Sequence, residues 1–289
     1  MLRSGVKRAV VVTFALVVSL AIPVVVSLAG CINYGAISGG ATPDAGAPSV
    51  KDASAAFCSS YSPAMWSAFF CSDFDEGGVQ GPWQTIAQTG ATLTQTSTAW
   101  VSPPNSLDEL VPSLEATTSL NVGLRTPVTF PTSFPTTMKF SASIEPVQID
   151  TQDQATIVLD AIDFIDSAQS RYSVVLSGVV LDGGLTLELG ESSALADGGA
   201  LDPFKDDPLP TSVTLPLNAF SAIGIEIDWS GPTTARASVS VNGNVELNVT
   251  LTVAVTATNM DIGIGTTYVH PTPSSVWELR YDNVLFTAD

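Results

Sequence analysis

The sequence predicts an all-β fold: two antiparallel sheets packed face to face as a sandwich. Three observations carry this expectation. Apolar and polar residues alternate strictly through several segments, the mark of a strand with one buried face. About a dozen such short segments follow one another, separated by Gly, Pro, Asn and Asp. Asn242-Gly243 lies between two of them, and that dipeptide is a strong hairpin signal.

Two segments of different texture precede the strands. Residues 1–30 open with "MLRSGVKR", basic at Arg3, Lys7 and Arg8 and free of acids, then run apolar from Ala9 to the small residues Ala29 and Gly30. Basic start, apolar middle and small-residue end make a secretory signal. The apolar run is also long enough for a membrane helix, which needs about 20 residues. Residues 31–56 begin at Cys31 and continue as Gly, Ala, Ser and Pro with few large apolar groups. Such a segment cannot offset its ordering entropy by burial and reads as a flexible tether. Residues 57–289 hold the sandwich, a length common for one all-β domain.

The strands follow in order. In "MKFSASIEPV", Met138, Phe140, Ala142 and Ile144 share one face, with Lys139, Ser141, Ser143 and Glu145 opposite. In "SAIGIEIDWS", Ile223, Ile225, Ile227 and Trp229 oppose Gly224, Glu226 and Asp228. "ARASVSVNGNVELNVTLTV" is the hairpin. "SLNVGLR", "ATIVLDAIDF", "RYSVVLSGVV", "LTLELGE", "TSVTLPL", "MDIGIGTTYV" and "WELRYDNVLF" complete the set. Helical periodicity is nearly absent, with one turn expected in "SPAMWSAFF". Residues 191–210, acidic and rich in Pro and Gly, read as a long surface loop.

Two resemblances sharpen this reading. "LAGC", Leu28 to Cys31, resembles the lipobox of bacterial lipoproteins. That resemblance implies cleavage before Cys31, lipidation of its sulfur and a membrane anchor. Ile32 in place of an Asp implies the outer membrane or cell surface rather than the inner membrane. "FCSDFDEG" (Phe70–Gly77), "SPPNSLDELVP" (Ser102–Pro112) and "LRYDNVLF" (Leu279–Phe286), with a strand ending in Trp229 and a hairpin between them, resemble in their order the concanavalin A-like lectin/glucanase jelly roll in its laminin G-like form. It implies curved sheets with the first and last strands adjacent. "FDEGGVQGPW" is also similar to the opening of galactose-binding-like carbohydrate modules, the alternative sandwich.

Charge and cysteine usage bound the function. The chain carries 10 basic and 28 acidic residues. Without Arg3, Lys7 and Arg8, ten less three leaves seven, and seven less 28 gives −21. Such a surface repels phosphate backbones and excludes nucleic acid as a partner. With Cys31 assigned to lipid, Cys58 and Cys71 remain as an even pair, and an exported chain allows them a disulfide. The closed loop would constrain the unfolded chain by about 3 kcal/mol. The competing reading is two buried thiols.

No catalytic group emerges. Laminarinase-type hydrolases of the resembled fold carry E-x-D followed by a second Glu. Here Glu226 and Asp228 fit, but Ser230 or Gly231 stands where that Glu belongs. A retaining glycosidase needs both carboxyls. His270, the one histidine, lies in the Pro-rich "VHPTP" without a nucleophile motif beside it. Calcium, which takes several oxygen ligands, is expected at Asp75, Glu76 and Asp282, if the first and last strands are neighbours. Among five tryptophans, Trp83 and Trp100 flank polar strands and are the expected sugar platforms. The expected function is therefore a lipid-anchored, non-catalytic binding protein for glycan or extracellular polymer. A glycoside hydrolase, or an adhesive surface protein with a protein partner, is the alternative.

Overall fold

Alternation builds two sheets whose apolar faces meet, as a strand with period-two patterning must. The computed structural model describes residues 56–289, except 76–77, 114–120, 131–133, 150–155, 166–170, 182–183, 195–201, 209–212, 232–233, 252–256, 258, 267–268 and 271–274. The leader at 1–30, the lipidation residue Cys31, the tether through residue 55 and the calcium candidate Glu76 lie outside the described residues.

A short helix, α1 (Ala56–Ser59), and a 3-10 turn at Pro63–Met65 come first. The strands are β1 (Ala68–Ser72), β2 (Thr85–Thr89), β3 (Thr92–Thr96), β4 (Ser106–Val111), β5 (Asn121–Val128), β6 (Thr137–Gln148), β7 (Thr156–Ile165), β8 (Arg171–Leu181) and β9 (Gly184–Ala194). They continue as β10 (Asp202–Pro208), β11 (Thr214–Leu215), β12 (Ser221–Gly231), β13 (Thr234–Val241), β14 (Asn244–Leu251), β15 (Asn259–Ile264), β16 (Val269–His270) and β17 (Trp277–Ala288).

The first sheet runs β14-β13-β12-β6-β17-β4-β3, with β1 also paired to β17. The second runs β10-β9-β8-β7-β15-β5-β2, with β11 on β9 and β16 on β7. The result is an antiparallel jelly-roll sandwich. Chain start and end close on each other, since Ala68 to Ser72 pair with Ala288 to Val284.

The core is the set of residues that alternation assigns inward. Phe140, Ile144, Ile225 and Ile227 from the first sheet meet Leu124, Ile162, Phe164, Leu176 and Leu187 from the second, all buried. Each such side chain contributes roughly 1.5–3 kcal/mol relative to exposure. Asn242 and Gly243 both take positive φ, 51° and 82°, as the tight β13–β14 hairpin requires.

Two local expectations are revised. The segment expected to be a surface loop at 191–210 is partly sheet: β9 continues to Ala194, and β10 pairs with it at the edge. Its sequence, DPFKDDP, carries the prolines and charges that edge strands tolerate and that block further pairing. His270 lies on the two-residue strand β16 rather than in a turn.

Candidate functional site

Sheet pairing aligns residues across strands, so the outer face of the first sheet can be built row by row. One row is Cys71, Leu285, Ser141, Gly224, Ser240 and Val245, on β1, β17, β6, β12, β13 and β14. The row beside it holds Phe69, Thr287, Lys139, Glu226, Ser238 and Asn248. Both rows point outward because their sequence neighbours, Met138, Phe140, Ile225 and Ile227, point into the core.

These rows form the floor of a groove of about 320 Å³. Five strands from β17 to β14 line it, roughly 19 Å at the usual strand spacing. Tyr61 and Trp66 close one side. The 3-10 turn carries them there: Pro63 starts it, and Trp66 ends it by donating its N–H to the Pro63 carbonyl at 3.2 Å. Cys58 and Cys71 form a disulfide, which fastens this turn beside β1. Gly224 keeps the floor low, since a Cβ there would stand 2.8 Å from the Ser240 Oγ.

Chemistry in the groove centres on three side chains. Lys139 Nζ lies 3.1 Å from Glu226 Oε1, an exposed ion pair whose partners are directly opposite across β6 and β12. Tyr61 adds a phenol. Lys139 is the one cation, and Glu226 the one carboxylate, among the described lining residues. Asp228 shares the face of Glu226 but accepts from Thr137 Oγ1 at 3.1 Å instead. Among the described lining residues, Glu226 therefore has no second carboxylate beside it.

Other charged clusters satisfy themselves. Further along the same face, Arg280 reaches Asp108 at 3.2 Å, Glu145 at 3.3 Å and Glu278 at 2.7 Å. Burial works against the Arg280 charge, but these three acids hold its pKa above the usual value. On the second sheet, Arg125, Arg171 and Ser173 converge on Asp163. Burial and the Asp163 charge push the neighbouring Asp261 carboxyl up.

The residues singled out from the sequence are dispersed. Trp83 is buried at 1% exposure, edge-on to Phe70, with its Nε1 donating to Ser72 Oγ at 3.2 Å. It cannot stack on a sugar, which corrects the expectation of a platform there: its indole N–H found an internal acceptor, so the whole ring could leave solvent. Trp100 is exposed but lies outside the groove. Trp229 packs inward against Phe134 and Phe164.

Asp75 and Asp282 do come near each other, since Asp75 raises the Asp282 pKa. Asp282 is fully buried, and its oxygens accept the N–H groups of Val101 at 2.6 Å, Ser102 at 2.9 Å and Asn283 at 2.7 Å. Asp75 Oδ1 accepts from the Asn105 N–H at 2.9 Å. These bonds clamp the loop between β3 and β4; Glu76, the third calcium candidate, lies outside the described residues. Among the described residues no group of three or more His, Cys, Asp or Glu side chains could hold a metal.

Tyr61, Trp66 and Lys139 were not singled out from the sequence. The available signal was a cysteine pair bracketing four aromatics, Tyr61 and Trp66 among them, and a single cation in the alternating run "MKFSASIE".

No protein-family profile matches the chain, and no curated protein matches it. Solved structures do. An endo-β-1,4-glucuronan lyase from the fungus Trichoderma reesei matches with a TM-score of 0.53 at 9% identity, over 78% of this chain and 96% of that one. Cellulose induced protein Cip1 matches at 0.48 and 15% identity, over 76% and 97%. Alginate lyase vAL-1 from Chlorella virus matches at 0.48 and 9%, over 72% and 93%. At these identities the likeness speaks for the fold. It also corrects the expected function. The expectation of a binding protein, more a non-enzyme than an enzyme, rested on the missing second Glu of a hydrolase and on a lectin-like reading of the sandwich, whereas the fold match at 0.53 is to a glucuronan lyase.

Proposed function

We propose that the chain is a carbohydrate-degrading enzyme that cleaves uronate-bearing polysaccharide by β-elimination in the groove above β6 and β12. The observation that carries this reading is the placing of Tyr61, Lys139 and Glu226 around one groove. The fold shared with a glucuronan lyase supports it.

β-Elimination at a uronate needs three things. The carboxylate must be neutralised so that the neighbouring ring C–H becomes acidic. A base must take that proton, and an acid must protonate the departing glycosidic oxygen. Lys139 neutralises the substrate carboxylate, exchanging Glu226 for it. Glu226, released from its ion pair, takes the proton from the carbon next to the carboxylate. The electron pair forms the ring double bond, the bond to the glycosidic oxygen breaks, and Tyr61 gives that oxygen its proton. Transfer of the proton from Glu226 to Tyr61 through solvent restores the starting state. Trp66 offers a ring face to a neighbouring sugar. None of these steps needs paired carboxylates.

The reading includes export and tethering. The lipobox-like "LAGC" and the apolar run before it support a leader at 1–30 and a lipid on Cys31. The order of landmarks supports the concanavalin A-like form of the jelly roll.

The test is to incubate the full-length chain separately with glucuronan and alginate and follow the ultraviolet absorbance of unsaturated uronosyl ends. Absorbance rising with wild type and not with Lys139→Ala supports the reading. No rise on any uronate polymer would remove it.

A further inference from the structure

The groove has one wall that the sandwich itself does not build. Tyr61 and Trp66 belong to residues 57–66, which precede β1. Every hydrogen bond this segment makes among the described residues stays inside it: Ser60 to Phe57, Tyr61 to Cys58, Met65 to Ser62 and Trp66 to Pro63. The first bonds to the sheet come at Ser67, whose N–H and hydroxyl both donate to the Ala288 carbonyl, at 2.9 Å and 2.7 Å. At its far end the covalent tie is the disulfide from Cys58 to Cys71, beside which α1 packs near β17.

Cys71 is placed to matter. On β1 it pairs with Leu285, and Leu285 lines the groove. Phe70, its neighbour, points inward against Trp83, so Cys71 points outward onto the groove face. The covalent bond thus folds the segment back over the rows that carry Lys139 and Glu226. With that bond opened, the segment loses a covalent tie that limits its conformations.

We propose that the Cys58–Cys71 disulfide is the positioning element of this site: it holds Tyr61 and Trp66 over the floor, and opening it dismantles the groove while the sandwich stays folded. This rests on the groove being the site proposed above. Its chemical counterpart is a dithiol. Reduction breaks the one S–S bond, two electrons and two protons pass to Cys58 and Cys71, and the dithiol leaves as its cyclic disulfide. Reoxidation restores the wall.

The experiment compares the full-length oxidised chain, the same chain reduced with dithiothreitol after folding, and the Cys58→Ser/Cys71→Ser variant. Hydrogen exchange is read on residues 57–66 and, as a fold control, on β6 and β12. Turnover of glucuronan gives kcat and KM. We expect protection of 57–66 to be lost and β6 and β12 to keep theirs. KM should rise at least tenfold with reduction and return on reoxidation. Unchanged protection of 57–66 after reduction overturns the proposal. So does loss of protection in β6 and β12 in both opened forms, which makes the disulfide a global staple instead. Should the oxidised chain leave glucuronan and alginate intact, the proposed reaction fails, and hydrogen exchange alone still decides whether the disulfide positions the wall.

Discussion

Glu109 on β4 accepts the backbone N–H of Thr266 with both carboxylate oxygens, at 3.0 Å and 3.2 Å, and so ties the first sheet to the second through the core. Thr266 in turn accepts the Val122 N–H of β5 at 3.0 Å. Gly265 allows this approach: its φ is +101°, and a Cβ there would stand 2.7 Å from the Gly123 Cα.

The position makes stability depend on pH. Burial pushes the Glu109 carboxyl up from 4.5 to about 7, against the pull of its bonds to Thr266 and Tyr281. Asp282 is likewise raised from 3.8 to about 7, by burial first and also by Asp75, against the N–H donors of Ser102, Val101 and Asn283. A carboxyl raised in the folded state binds its proton more tightly there than in the unfolded chain. Its contribution is therefore full below the unfolded pKa and is lost as pH rises through about 7. Denaturant midpoints should fall between about pH 5 and about pH 8, by on the order of 3 kcal/mol per group. Glu109→Gln, which keeps an acceptor and cannot ionise, should flatten the profile by roughly half.

Asp282 also has a role that its charge does not exhaust. Asp282→Ala leaves the N–H groups of Val101, Ser102 and Asn283 without their buried acceptor. Loss of about 2–4 kcal/mol is expected by chemical denaturation. Hydrogen exchange should quicken first at Val101 and Ser102.

The groove side chains should separate activity from stability. Lys139 and Glu226 are well exposed, so Lys139→Ala should change stability by no more than about 1 kcal/mol. Its turnover should fall at least about a hundredfold, as for removal of a charge that stabilises the transition state. Tyr61→Phe should lower kcat with KM kept. Gly224→Val, filling the floor beside Ser240, should raise KM with kcat kept.

Salt should act in an unusual direction. The chain's formal charge is −18, and a uronate polymer is also anionic. Long-range repulsion opposes encounter and is screened within a Debye length of about 8 Å at physiological ionic strength. KM for glucuronan should therefore fall as sodium chloride is raised from low concentration, measured at constant pH.

Period-two patterning made the strands legible. Lys139 and Glu226 were each assigned outward from their own alternating runs, and Asn242-Gly243 marked the hairpin. Their pairing across β6 and β12 was not legible, because register joins residues far apart in sequence. Tyr61 and Trp66 were hidden for the same reason: the turn at Pro63–Met65 is local, but its seat over β6 comes from the Cys58–Cys71 bond. Trp83 misled because flanking polarity says nothing of an internal acceptor such as Ser72. Prolines and acids in 191–210 suggested a loop, yet β10 is an edge strand, where both are tolerated.

Mass analysis of the products from glucuronan treated with the full-length chain tests the central claim most directly. Elimination predicts oligosaccharides whose new non-reducing end is unsaturated, one water lighter than the hydrolysed product, absent with the Lys139→Ala/Tyr61→Phe variant. Saturated products, or unaltered polymer, would contradict it.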